Sequence, residues 1–139
     1  MKLTKSDEQL IEMAKTVLQE NKDLYGGKEI LVASIVKASS GNCYKGINIK
    51  TSHSICAEQV AIGQALVCRE RSFDTLVAVQ LELDGDMRVI SPCGLCRYTL
   101  NKLDFDINVI VEDQDKNKVV KVNYKELLPY PYQRDSEEK

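Results

Sequence analysis

The chain has 139 residues, enough for one domain with a real core and too few for two. Hydrophobic residues make up 43% and charged residues 29%, the balance of an ordinary globular protein, so a packed core is expected. The formal net charge of −2, with acids and bases mixed, offers no electrostatic grip on nucleic acid or membrane and points to a small molecule or a protein as partner.

Ser6-Asp7-Glu8-Gln9 reads as a capping box. Leu10, Ile11, Ala14, Val17 and Leu18 then repeat at helical spacing, which predicts an amphipathic helix over 6–22. Tyr25-Gly26-Gly27 ends it. Ile30 to Val36 and Tyr44 to Ile49 are strand candidates, and the turn-forming Ser39-Ser40-Gly41-Asn42 between them predicts a hairpin. Residues 56–71 read as a helix that is apolar nearly all round and so covered on most sides. Thr75 to Leu83 is a strong strand ended by Asp84-Gly85-Asp86, and Arg88 to Ile90 is a short return strand. Cys93 to Leu103 fits a helix and Asp106 to Val111 a strand; a turn at Asp113 to Asn117 and a short helix at Tyr124 to Leu128 follow. The tail, 129–139, is aromatic and then charged. Strands alternating with helices predict an α/β layer structure, a mixed sheet with helices on its faces, in one domain over 1–139. The apolar runs are too short to span a bilayer. Met1 to Gln9 is polar and lacks a signal-peptide core, so the expected location is cytoplasmic.

The five cysteines, Cys43, Cys56, Cys68, Cys93 and Cys96, are an odd count, which argues against a disulfide framework and for metal binding or catalysis. Two stretches concentrate the chemistry. In "SPCGLCRYTL", residues 91–100, Cys93 and Cys96 stand three apart at a predicted helix start and share a face. In "SICAEQVAIGQA", residues 54–65, Cys56 opens another helix with Glu58 two positions on. A helix N-terminus stabilises a thiolate through its unpaired amides and its dipole, by ~0.3–1 kcal/mol. Two such ends meeting with three thiolates would make a zinc site with one tetrahedral position open, as in catalytic sites. Glu58 would then be an acid–base group beside the metal's water. That requires Cys56 and Glu58 in the first turn, because residues two apart do not share a face inside a helix.

Cys56-Ala57-Glu58 together with Pro92-Cys93-Gly94-Leu95-Cys96 resembles the signature of the zinc-dependent cytidine deaminase family. "GINIKTSHSICAE", "ISPCGLCRYTL" and "YKELLPYPY" are most similar to the blasticidin S deaminase branch, and Asn48 precedes Cys56 by eight residues, a shorter spacing than is usual in cytidine deaminases. The likeness covers residues 6–132. It implies a three-layer α/β/α fold around a mixed, about five-stranded central sheet. It implies one zinc per chain on Cys56, Cys93 and Cys96, with Glu58 taking a proton from the zinc-bound water and passing it to the pyrimidine ring nitrogen as ammonia departs. The implied substrate is a cytosine nucleoside (cytidine, deoxycytidine or one like blasticidin S) met by Asn48, Lys50, Ala57 and Ser91. The implied assembly is a homotetramer with sites near subunit interfaces. Three thiolates leave zinc with a local charge of −1, which Arg97, present as in the family, and the helix ends would offset. Two neighbours depart from the family pattern: Gln59 stands where an arginine is common, and Tyr98 where a glutamine is common. The family's Asn-x-Glu, which holds ribose hydroxyls, is Asn48-Ile49-Lys50 here. A cation in place of that anion favours a substrate with a negative group on its sugar.

Plainer readings use the same residues. Cys-x-x-Cys at a helix start also describes a thioredoxin-like redox site, which gives Cys56 and Glu58 no role. A non-catalytic, structural zinc site would take Cys43 as its fourth ligand. Cys43 and Cys68 otherwise read as small core hydrophobes. Glu58 alone is an ordinary first-turn acid, Asn48 a strand-end turn former and Lys50 a solvated cation. His53, the one histidine, reads as structural or substrate-lining, while Tyr130 and Tyr132 either pack the tail or cap the site.

Overall fold

The computed structural model describes residues 1–133. Helix α1 (Lys5–Glu20) leads into the hairpin β1 (Leu31–Ala38) and β2 (Cys43–Ile47). Helix α2 (Ala57–Val67), strands β3 (Phe73–Leu81) and β4 (Met87–Ile90), and helix α3 (Gly94–Leu103) follow. The hairpin β5 (Asn108–Asp113) and β6 (Lys118–Asn123) closes the sheet, and 3₁₀ turns lie at Leu24–Gly27 and Tyr124–Leu127. Strand order is β2-β1-β3-β5-β6, with β4 also paired to β3. The β3–β5 pair is parallel and the other pairs are antiparallel, so the sheet is mixed as the alternation of elements predicts.

Helix α1 covers one face, where Leu10, Ala14, Val17 and Leu18 pack on Leu31, Ile35, Val77, Val79 and Ile110. Helices α2 and α3 cover the other, where Ala61, Ile62, Ala65 and Leu100 meet Val36, Leu76, Val109 and Val111. Side chains of a strand alternate between faces, and both faces here are covered. That is why β1, β3 and β5 read as nearly unbroken apolar runs. Each fully buried Leu or Ile of these layers stabilises the fold by about 1.5–3 kcal/mol of transfer free energy.

Several boundaries differ from the sequence reading, each for a stated physical cause. The sheet has six strands rather than about five. Strand β6 escaped notice because Lys121 breaks its apolar pattern. That lysine points inward, and its Nζ lies 2.8 Å from Asp7 of α1. The cap of α1 is Thr4, not Ser6. Thr4 Oγ1 accepts the Asp7 amide at 3.1 Å and Asp7 Oδ2 accepts the Thr4 amide at 2.9 Å, a capping box with aspartate in the third helical position. Helix α2 stops at Val67 instead of 71, because Arg69 takes a left-handed φ of 69° and the Glu70 amide bonds the Ala65 carbonyl at 3.0 Å. That is a helix terminator without its usual glycine. Strand β2 stops at Ile47, and Ile49 instead bridges Ile55 in a tight return toward Cys56.

One glycine is required by packing. A Cβ on Gly46 would lie 2.3 Å from the Ala57 carbonyl oxygen and 2.5 Å from the Ala61 nitrogen. Only glycine lets the β2 backbone press against the first turn of α2. Ala57, Ala61 and Ala65 are fully buried, so α2 lies close on the sheet along a small-residue face.

Candidate active site

Strand register brings the two cysteine turns together. Ile47 at the end of β2 is level with Ala33 of β1, Ala33 with Val79 of β3, and Val79 with Val89 of β4, next to Ile90. The carboxyl ends of β2 and β4 therefore sit at one height, three strand spacings or roughly 14 Å apart. From each end the chain passes to the same face and opens a helix, α2 from Cys56 and α3 from Cys93. Both cysteines are extended N-cap residues, so their side chains project past the helix ends. The Cys56 and Cys93 sulfurs are 3.5 Å apart, and those of Cys56, Cys93 and Cys96 all lie within 4.8 Å of one another.

Burial pushes the Cys56 thiol up to about 11, with the Cys93 sulfur adding to it. Burial also raises Cys96, reinforced by the nearby Glu58 charge. Burial opposes ionisation of Cys93 as well, but the amide groups of Cys96 and Leu95 and the neighbouring thiols outweigh it and hold Cys93 below the ordinary value. Three sulfurs that close, two of them reluctant to ionise, are what a thiophilic cation compensates. Tetrahedral zinc–thiolate geometry, with bonds of about 2.3 Å, sets sulfurs about 3.8 Å apart. The cluster fits a metal on this test, and among the described residues it offers three ligands and not four.

Glu58 follows Cys56 by two residues in the first turn of α2, where the geometric condition on that pair is met. It is 5% exposed, and burial raises its carboxyl above the usual range, offset in part by its own amide and by the Cys96 thiol. Glu58, Cys56 and Cys93 line a cavity of about 200 Å³ together with Asn48, Lys50, Ala57 and Ser91, so the expected substrate residues all face one space. A cavity of about 660 Å³ lies across Ile90 and Ser91, toward Arg97 and the β5–β6 hairpin, and contains none of the sulfurs. Volume alone would have chosen the wrong hollow; the donor set decides.

Other predicted residues fall elsewhere. The Arg97 guanidinium donates to the Pro92 carbonyl at 2.8 Å and the Leu127 carbonyl at 3.1 Å, so it braces the turn into Cys93 instead of bonding a sulfur. Gln59 ties α2 to α3 by a 3.4 Å bond from Nε2 to Thr99 Oγ1. Cys43 is half-buried away from the cluster, with its sulfur 3.9 Å from the Gly41 carbonyl, which removes the fourth-ligand reading. Cys68 is exposed at the end of α2 and is not a core residue. His53 is exposed and pairs with Ser52. Tyr130 is fully exposed and Tyr132 is 75% exposed, and neither lines the cavity. The charged end of the tail, 134–139, lies outside the described residues. Sequence reasoning missed the apolar walls Val32, Ile55 and Ile90, whose only signal was their adjacency to Asn48, Cys56 and Ser91.

Known proteins are similar to this chain in sequence and in fold. Residues 4–112 match the cytidine and deoxycytidylate deaminase zinc-binding region. A blasticidin-S deaminase from Bacillus cereus is 30% identical, covering 97% of this chain and 100% of its own. A cytidine deaminase from Shewanella sediminis is 35% identical across 54% of this chain, a stretch that makes up 24% of that longer protein. In fold, the chain is similar to the cytidine deaminase of Bacillus anthracis (TM-score 0.74, 20% identity, covering 90% of this chain and 88% of that one). It is likewise similar to that of Burkholderia pseudomallei (TM-score 0.71, 24% identity, covering 94% and 100%). No helix among the described residues is long and apolar enough to cross a membrane. With a zinc-binding family match over most of the chain and a three-sulfur cluster shaped for the metal, the chain belongs to the cytidine and deoxycytidylate deaminase family of zinc-dependent hydrolytic deaminases.

Proposed function

We propose that the protein hydrolyses a cytosine nucleoside to its uracil form and ammonia within one zinc-dependent deaminase domain spanning all 139 residues. The observation that carries this is a buried carboxylate, Glu58, sharing one cavity with Cys56 and Cys93 of the three-sulfur cluster. Cys56, Cys93 and Cys96 would hold zinc, which when bound would make a water acidic enough to act as a nucleophile near neutral pH. Glu58 takes up a proton, delivers it to the pyrimidine ring nitrogen and then serves the departing amino nitrogen. Its raised proton affinity suits a group that must both accept and release.

Ala57 and Ser91 flank the base, with Val32, Ile55 and Ile90 excluding water around it. Asn48 faces the sugar. Its Oδ1 accepts the Val32 amide and its Nδ2 donates to the Ile30 carbonyl, which leaves one lone pair and one N–H for a hydroxyl. Lys50 brings a cation to the same wall. That cation, and the full-length likeness to a blasticidin-S deaminase, support a nucleoside with an anionic group on its sugar over cytidine itself. A cytoplasmic location suits thiols that must stay reduced. The family resemblance implies a homotetramer, and the exposed Leu95 and Tyr98 on α3 offer apolar surface for a contact between copies.

The test is a zinc assay followed by ammonia release from cytidine, deoxycytidine and blasticidin S. One zinc per chain and fastest release from blasticidin S are expected. Zinc-loaded protein that released no ammonia from any of them would leave a non-catalytic zinc protein in place of an enzyme. Sedimentation at four chain masses checks the assembly.

A further inference from the structure

The segment 48–50 forms one wall of the cavity, yet it lies beyond the end of β2. Its shape is held from two sides. On one side the Asn48 amide bonds the backbone of Ile30 and Val32. On the other the Tyr25 hydroxyl donates to the Asn48 carbonyl at 2.8 Å and accepts the Lys50 amide at 3.0 Å. One hydroxyl thus ties both backbone groups that flank Ile49. Tyr25 reaches them from a turn in which it, Gly26 and Gly27 all have left-handed φ angles of 58°, 67° and 70°. Glycine adopts this region freely, but a tyrosine there is strained, and such strain persists only where the surroundings hold it.

We propose that Tyr25 is a positioning residue for substrate, its hydroxyl fixing the 48–50 backbone so that Asn48 and Lys50 are presented to the sugar in one geometry. The proposal rests on the cavity being the nucleoside site. Tyr25 itself touches no reacting atom. Its contribution is pre-organisation: a wall already ordered before binding has less freedom to lose when substrate arrives.

Tyr25→Phe is the direct test, because the ring stays packed beside the α1 layer and only the hydroxyl goes. The freed groups belong to the exposed Lys50 and the half-buried Asn48, and both residues line the open cavity, so water entering it can replace the lost bonds with little effect on folding. The expected result is unchanged zinc content and melting temperature, with KM for the nucleoside raised about five- to tenfold and kcat within about threefold, the pattern of lost binding shared by ground and transition states. Hydrogen exchange at the Lys50 amide should accelerate about tenfold, since its acceptor is gone. In an active enzyme, a wild-type KM or a wild-type exchange rate at Lys50 in the variant overturns the proposal alone. Parent protein that turned over no nucleoside would instead overturn the assignment of the cavity, and this proposal with it.

Discussion

Glu58 is the one carboxylate among the residues lining the cavity, and the two thiols beside it belong to the three-sulfur cluster. Glu58→Gln keeps the shape and the hydrogen bonds but cannot release and recapture a proton. Zinc content should be unchanged while turnover falls by about 10²–10⁴-fold, read as initial rates of ammonia release at saturating substrate. Near-normal rates would remove Glu58 from the mechanism. Lys50 decides a different quantity. Its Nζ lies 4.0 Å from Glu29 Oε2, a loose exposed pairing that leaves the ammonium available to a substrate anion. Lys50→Glu should lower kcat/KM for blasticidin S relative to cytidine by about tenfold, the scale of a charge-assisted contact. An unchanged ratio would mean that the lysine serves solvent and Glu29 alone.

Two elements depend on contacts that no local pattern reveals. The first turn of α2 carries Cys56 and Glu58 and rests directly on Gly46 of β2. Gly46→Ala forces those backbones apart, which should cost about 1–3 kcal/mol of stability by overpacking. It should also reduce zinc occupancy, because Cys56 moves with the helix; full occupancy with full stability would contradict the contact. Helix α1 is pinned at its start by Asp7, which closes the cap with Thr4 and pairs with Lys121 on β6. Burial by itself would raise the Asp7 carboxyl, but the bonds from Lys121 and Thr4 outweigh burial and hold it below the ordinary value. A carboxylate depressed in the folded state stabilises the fold fully above its unfolded pKa of about 3.9, and that contribution is lost as pH falls through the lower folded value. Asp7→Asn should therefore cost about 1.5–3 kcal/mol at pH 7, since it removes the charge that the half-buried Lys121 ammonium pairs with. The gap between variant and parent in urea midpoints should narrow as pH falls below the unfolded value and through the lower folded one. A gap that did not narrow at all on acidification would show that packing, not charge, holds the pair.

At the scale of the molecule, a metal at the three-sulfur cluster would bridge two crossovers. Cys56 heads the helix that follows β2, and Cys93 and Cys96 belong to the helix that follows β4. A metal held by all three ties the two helix ends to one point over the sheet. Cys93→Ala should lose zinc and lower the melting temperature by about 5 °C or more, because binding to the folded state alone adds stability. Cys43→Ala should keep its zinc, since that thiol sits beside β1 and Gly41 away from the cluster. Equal zinc in both variants would reject the ligand set. The edges of the sheet also differ from what the chain suggests locally. β6 is an outer strand whose inward lysine finds its partner at the other end of the sequence. Val119, Val120 and Val122 mark a strand locally, but no window of neighbouring residues signals that Lys121 among them turns toward Asp7 of α1.

What the sequence determined by itself was the chemistry and most of the elements. Helical spacing in α1, the turn residues between β1 and β2, and the paired Cys56-Ala57-Glu58 and Pro92-Cys93-Gly94-Leu95-Cys96 segments are short-range features, and short-range sterics and hydrogen bonding suffice to read them. The end of α2 at Arg69 was not legible, because a left-handed residue other than glycine is imposed by its surroundings. The tertiary structure alone decided that the ends of β2 and β4 lie level, that three of five thiols meet while Cys43 and Cys68 do not, and that Tyr25 reaches the backbone of Asn48 and Lys50. These outcomes depend on strand register and on which face each crossover takes. Such pairings join residues far apart in the chain, whose mutual energies no local pattern contains.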